Sequence, residues 1–189
     1  MSEADRQRWE NKHRTHGTGR PRATLEWIAA IDRRERSQRP LALDLACGNG
    51  RHCDRLLAAG YTVVAADIAR TALDRIALPT GADRGRLHRV QMDVDCWPFR
   101  AGTFDLIAQI DFLDRARFDD IKLCTKPGGH VLIDTFMLGE SRNAEGPGNP
   151  EYLLRRGELE DVFGDWELLR TSYVEAPTAR CAMLARRPH

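Results

Sequence analysis

The chain has 189 residues, with 29 Lys and Arg against 28 Asp and Glu and a formal net charge of +1. That length fits one domain, residues 1–189, with a core large enough to need no disulfide or metal staples. The near-neutral charge excludes a global attraction to nucleic acid. Five cysteines (Cys47, Cys53, Cys96, Cys124 and Cys181) are odd in number and scattered, with no C-x-x-C pair; neither a disulfide framework nor a metal site is expected. The start is charged and no apolar run reaches membrane-spanning length, so a cytoplasmic protein with reduced thiols and no membrane partner is expected.

Residues 1–20 are polar and basic, and 3–14 predict a short helix. On composition alone this end would fray; Trp9 argues instead for docking. Residues 15–20 read as a loop. Pro21 suits a helix start, and Leu25, Ile28 and Ala29 share a face, predicting a helix to about residue 36 that closes on Arg33, Arg34, Glu35 and Arg36.

The informative stretch is 41–53, LALDLACGNGRHC. Its first half reads as a strand buried on both faces. Gly48, Asn49 and Gly50 then make a turn with little side-chain bulk, and Cys53, Leu56 and Leu57 recur at helical spacing until Gly60. Backbone amides at such a strand–turn–helix junction can face a polar ligand. Asp44 stands inside the apolar strand, where a carboxylate needs a cationic or hydrogen-bonding partner. The dinucleotide fingerprint Gly-x-Gly-x-x-Gly fits less well, because Cys53 fills its third position.

A second buried strand, 61–67, ends in Asp67, 17 residues beyond Gly50. A carboxylate there can accept both hydroxyls of a ribose lying over the Gly turn, or it can cap the helix that begins near Ala69. That helix runs to about residue 78, and 79–85 is a loop with Gly81 and Gly85. A third strand, 87–92, is followed by Asp93 and Val94, placed to meet the edge of an adenine; a solvated loop Asp is the alternative. Residues 104–110 give a fourth strand and 117–124 a helix. Lys126, Pro127, Gly128 and Gly129 stop the chain, and 130–136 gives a fifth strand. A loop at 137–154, rich in Gly and Pro, is long enough to cover a site. A short helix at 158–163 precedes strands at 166–175 and 179–186, joined tightly enough for an antiparallel hairpin. Strands alternating with helices give an α/β protein with a mainly parallel sheet.

The segment DLACGNG resembles the cofactor loop of class I S-adenosylmethionine-dependent methyltransferases, Asp/Glu-x-Gly-x-Gly-x-Gly, with Ala46 for the first Gly. The resemblance continues through Asp93, Trp97-Pro98-Phe99 and Phe104-Asp105. FLDRARF, KPGGHVLIDTF and NPEYLLRRGELEDVF look like the small tellurite-resistance and thiol-methylating subgroup, with Asp134 where Glu is usual. It implies a Rossmann-like fold with helices on both faces of a seven-stranded sheet, order 3-2-1-4-5-7-6, strand 7 antiparallel. The cofactor implied is S-adenosylmethionine. Asp44, Ala46, Gly48 and Gly50 would then surround its aminocarboxypropyl part, with Asp44 near the amine. Asp67 would hold the ribose, Ile68 would pack on adenine, Asp93 and Val94 would read the adenine edge, and Gln109 would lie near the methyl. Trp9 and Lys12 fall in a segment similar to the element that folds over the methionine end, where Lys12 and His13 replace Arg and Tyr.

The expected activity is methyl transfer to a small acceptor, under a lid made of residues 1–20 and 137–154. An easily ionised acceptor requires no general base; His13, His16 and Tyr152 are the candidates, each better suited to be a pocket wall or surface residue. Three alternatives remain: a cofactor-binding protein without its own catalysis, an RNA or DNA methyltransferase using Arg33–Arg36, Arg84–Arg89 and Arg155-Arg156, and a nicotinamide dehydrogenase. Solvated surface charge accounts for the Arg clusters, and QIDF follows the fourth strand where a base-handling Asn-Pro-Pro-Tyr motif would stand.

Overall fold

A computed structural model describes residues 3–15, 17, 19–31, 38–77, 83–139 and 146–189. His16, the basic run 33–36, Gly81 and positions 140–145 of the expected covering loop lie outside the described residues.

Seven strands form one sheet: β1 (Leu41–Leu45), β2 (Thr62–Asp67), β3 (Leu87–Gln91), β4 (Phe104–Ile110), β5 (Thr125–Phe136), β6 (Glu167–Val174) and β7 (Arg180–Arg186). Their order is β3-β2-β1-β4-β5-β7-β6. The first five pair in parallel, and β7 pairs antiparallel with both β5 and β6. The helices are α1 (Glu3–Thr15), α2 (Cys53–Ala58), α3 (Arg70–Asp74), α4 (Phe118–Cys124) and α5 (Glu158–Val162).

Each sheet face is covered by its own apolar cluster, and the alternation of strand side chains decides which residue joins which. Leu43, Leu45, Ile107, Val131 and Ile133 pack with Phe118 and Ile121 of α4 and with Leu159 and Phe163 at α5. Ala42, Val63, Ala65, Leu106, Ala108 and Leu132 pack on the other face with Leu56 and Leu57 of α2 and Leu73 of α3. Asp44 has the parity of Ala42, so its carboxylate points to the α2 side. The chain reverses its direction of growth between β1 and β4. In open α/β sheets ligands bind at such a switch point, beyond the carboxyl ends of the strands.

Two local expectations are corrected. Residues 23–30 form a 3-10 helix and not an α-helix, ending in extended backbone at Ile31. Leu25, Ile28 and Ile31 are all buried, and their spacing of three suits three residues per turn. Lys126 to Gly129 do not form a loop; they lie inside β5 as an irregular entry, with the register shifting between Phe104 and Leu106. A Cβ on Gly129 would lie 2.9 Å from the Lys126 carbonyl oxygen and 3.2 Å from that of Asp105. Glycine here permits close backbone approach, not a chain reversal.

Candidate functional site

The site is built at the carboxyl ends of β1, β2 and β4. Asp44 pairs in register with Ala65 of β2 and Ala108 of β4, and its residue is 1% exposed. Its described polar partners are soft: the Cys53 thiol donates to Oδ2 at 3.4 Å, and His52 Nδ1 lies 3.9 Å from Oδ1. Burial, reinforced by Asp44, pushes the Cys53 thiol far up, and burial does the same to Cys47. Both sulfurs are therefore neutral, and neither is a nucleophile.

The turn after β1 uses left-handed backbone at Ala46 (φ 54°), Gly48 (53°) and Gly50 (74°). A Cβ on Gly50 would meet Ile76 at 2.7 and 2.8 Å, and one on Gly48 would meet His13 Cε1 at 2.9 Å. Left-handed backbone favours glycine at both positions, and at Gly50 the packed Ile76 side chain adds a demand for space.

Asp67, at the tip of β2, does two things at once. Its Oδ1 accepts from the Ala69 amide and its Oδ2 from the Gly48 amide, both at 2.8 Å. The first bond closes a local turn leading towards α3, and the second ties the Gly turn to the neighbouring strand. Each carboxylate oxygen can accept more than one bond, so these two bonds leave acceptor capacity for a diol. Burial holds the Asp67 carboxyl above its ordinary pKa, against the pull of the Ala69 and Gly48 amides and of His13.

Gln109 of β4 is fully buried beside Leu45 and Ile133. Its Nε2 donates to the Phe112 carbonyl at 3.1 Å, while its Oε1 is a buried acceptor without a partner among the described residues. Ile68 is half-buried, with its carbonyl accepting from Gln91. Asp93 accepts from the Asp95 amide at 3.0 Å, and Val94 is buried, its carbonyl meeting Arg117.

Helix α1 brings Trp9, Lys12 and His13 to this side of the sheet. It buries no residue of its own and is fastened through polar groups. Glu10 accepts from the backbone amides of Arg70 and Thr71 at the start of α3, and Arg75 donates to the carbonyls of His13 and Arg14. The His13 ring stacks on Trp9 with centroids 5.8 Å apart, and Lys12 Nζ lies 4.4 Å over the Trp9 ring. His13, and not the exposed Lys12, meets the Gly turn. Tyr152 is exposed in a turn anchored by Arg115; none of its described bonds reaches the Gly turn.

Sequence reasoning missed a second cluster beside this one. Asp111 follows β4 directly with left-handed backbone, φ 56°, and its carboxylate is met by Arg22, Arg51 and Arg180. Burial would raise its pKa, but Arg180, Arg51 and Arg22 outweigh burial and hold it below the ordinary value. Asp134 of β5 takes Arg180 and the Thr24 hydroxyl. The signal available was an Asp at a β-strand terminus in QIDF and an Arg directly after Gly50. Their partners are distant in sequence.

The buried, weakly partnered Asp44, the open Gln109 oxygen and the Asp67 carboxylate beside the compact Gly turn suit a ligand with a cationic amine at one end and a ribose at the other. That fits the aminocarboxypropyl and nucleoside parts of S-adenosylmethionine.

The comparisons agree. Residues 42–129 match the family described as Methyltransferase domain. A curated relative, Hemagglutinin 1 of Eikenella corrodens, is 32% identical over 145 residues, covering 71% of this chain and 45% of its own length. The chain thus spans less than half of that relative. TehB from Haemophilus influenzae superposes with a TM-score of 0.70 at 20% identity, covering 95% of this chain and 65% of TehB. A Burkholderia thailandensis 1,6-didemethyltoxoflavin-N1-methyltransferase, solved with its substrate and S-adenosylhomocysteine, gives 0.66 at 19% identity, over 98% of this chain and 87% of that one. These two likenesses establish the fold. Residues 42–129 match a methyltransferase domain, and the strand order is that of the fold shared with these methyltransferase structures.

Proposed function

We propose that this protein methylates a small molecule with S-adenosylmethionine, the acceptor sitting beyond the carboxyl ends of β1 and β4. The observation that carries the reading is Asp67, whose carboxylate at the tip of β2 fixes the Gly turn through the Gly48 amide, and this reading assigns the same carboxylate to the ribose. The cofactor supplies an electrophilic methyl group on a sulfonium. Asp44 receives the amine, the Gly48–Gly50 turn accommodates the carboxylate end, Asp67 binds the ribose, Ile68 packs on the adenine, and Asp93 and Val94 read its edge.

Catalysis in this reading is alignment and exclusion of water. In-line positioning supplies roughly 7–11 kcal/mol, and desolvation sharpens the nucleophile. Asp111, the carboxylate at the end of β4, is held ionised by three guanidinium groups and is a poor proton acceptor. The acceptor therefore brings an atom that ionises by itself. The lid is α1 with the following loop, latched by Glu10, Arg22 and Thr24, together with residues 137–154, whose neck is closed by the Met137–Leu154 bridge. Five free thiols favour a reducing, cytoplasmic setting.

A second reading, cofactor binding without catalysis, draws on the His13 ring lying against Gly48. Calorimetric titration with S-adenosylmethionine and S-adenosylhomocysteine decides the first step. Micromolar binding of both, abolished in Asp67→Ala, is expected; no binding by the folded protein refutes the proposal. Radiolabelled methyl transfer to a panel of small thiols and amines separates the two readings.

A further inference from the structure

We propose that Arg51 and Arg180, alongside Arg22, seat a carboxylate of the methyl acceptor, so that the acceptor is a small organic acid. This rests on the methyl-transfer reading above and adds the substrate class to it.

The cluster gathers at the strand ends. The Asp111 amide donates to the Asp134 carbonyl at 2.9 Å, joining the ends of β4 and β5. Arg22 grips Asp111 side-on, with Nε 3.2 Å from Oδ2 and Nη2 2.9 Å from Oδ1. Arg180 Nη2 is 2.6 Å from Asp111 Oδ1, and its Nε is 3.0 Å from Asp134 Oδ1. Arg51 reaches Asp111 Oδ2 from the residue directly after Gly50, so it spans from the cofactor turn to the cluster.

Latching the lid explains only part of this arrangement. One Arg22–Asp111 pair and one Thr24–Asp134 bond would fasten residues 22–24. Instead, among the described residues, three guanidinium groups face two carboxylates, an excess of one positive charge, at side-chain exposures of 34%, 27% and 12% for Arg22, Arg51 and Arg180. Arg180 Nη1 is moreover a buried donor with no partner among the described residues, on a guanidinium stacked 4.6 Å from the Phe136 ring. A buried donor and a surplus cation are both costly until an anion meets them.

That residue set selects the ligand. A cationic acceptor would meet the surplus positive charge. A neutral one would leave it unrelieved. A carboxylate offers two coplanar oxygens to guanidinium forks, the pairing that Arg makes in short charge-assisted bonds. Held between Arg51 and Arg180, such an acid would have its remaining atoms beside the Gly turn, where the methyl donor is proposed to lie.

The test uses matched probes, 3-mercaptopropionate and its amide 3-mercaptopropanamide, titrated calorimetrically into the full chain with and without S-adenosylhomocysteine. The acid is expected to bind at least about tenfold tighter than the amide, consistent with a charged hydrogen-bonded pair. Arg51→Gln should erase that preference while S-adenosylhomocysteine affinity stays within about threefold. Arg180→Met should do the same if it folds; Arg51→Gln carries the test if it does not. Equal affinity for acid and amide, tighter amide binding, or no binding of the acid overturns the proposal. Tighter binding of inorganic selenite, a pyramidal oxyanion, overturns the carboxylate assignment. Loss of S-adenosylhomocysteine binding alone refutes the cofactor reading; the acid-over-amide comparison without nucleoside still decides this one.

Discussion

Asp67 Oδ2 accepts from the backbone amide of Gly48 at 2.8 Å, joining the tip of β2 to the turn after β1. The carboxylate proposed to hold the ribose is thus the same group that fixes the loop beneath it. Burial raises its pKa, most strongly opposed by the Ala69 and Gly48 amides. The raised pKa means that protonation is favoured by folding. Its contribution to stability is therefore complete at low pH and is lost as pH rises through the folded pKa. Cofactor binding runs the other way, because a diol needs the ionised, acceptor-only form. Affinity for S-adenosylmethionine should be flat at neutral pH and fall on acidification, starting above the ordinary Asp value of about 3.9. Calorimetry between pH 4 and 8 checks this; Asp67→Asn should bind weakly and without that dependence.

Gly50→Ala should be severely destabilising. Its φ of 74° is unfavourable to an L side chain, and the new methyl would lie 2.7 Å from Ile76 Cγ2. Strain and overpacking together cost roughly 2–4 kcal/mol. Denaturant unfolding should show that loss, and the double variant Gly50→Ala with Ile76→Ala should fail to add, since removing Ile76 clears the clash but not the backbone strain.

Ala46→Gly should do the opposite. The resemblance to the methyltransferase loop places Gly at this position, and Ala46 adopts φ 54°. Left-handed backbone costs an L-residue roughly 1–2 kcal/mol, partly offset by the greater freedom that glycine has when unfolded. A net gain of up to about 1 kcal/mol is expected in urea unfolding, with the cofactor site retained. No gain would mean that neighbouring contacts already compensate the strain.

The elements legible in the sequence were those with a local cause. β4 was read at its observed limits because a strand buried on both faces is mostly apolar, and the Gly48–Gly50 turn because its residues carry little side-chain bulk. The 3-10 helix was hidden by Ala29, which suggests a helical face, while the deciding stripe is Leu25, Ile28 and Ile31. The Asp111 cluster showed in the sequence only as isolated members, Asp111 in QIDF and Arg51 after Gly50, and not as a cluster. Arg22, Arg51, Asp134 and Arg180 come from the lid, the turn, β5 and β7, and no local pattern marks residues that meet only after the sheet has closed. Asp67 reads in sequence as either ribose ligand or helix cap; in the structure it accepts from the Ala69 amide in a local turn, while the first amides of α3 go to Glu10.

Glu10 is a further long-range case, and it controls the lid. It caps α3 from sixty residues away, accepting from the Arg70 amide at 2.7 Å and the Thr71 amide at 3.0 Å. Helix α1 buries no residue, so little apolar contact holds it if that cap is lost. Removing a comparable N-cap costs about 0.5–2 kcal/mol, and here the cost falls on docking of α1 more than on the sheet. Glu10→Ala should lower amide-exchange protection in α1 by about two- to thirtyfold while protection in β1 and β4 is unchanged. With α1 released, His13 leaves Gly48, and the direction of the change in cofactor affinity distinguishes its roles. If His13 closes over the bound cofactor, dissociation of S-adenosylmethionine quickens. If the ring instead competes with the cofactor for the turn, affinity rises. Stopped-flow dissociation of Glu10→Ala beside His13→Ala separates the two, and faster dissociation in both is the result expected of a lid.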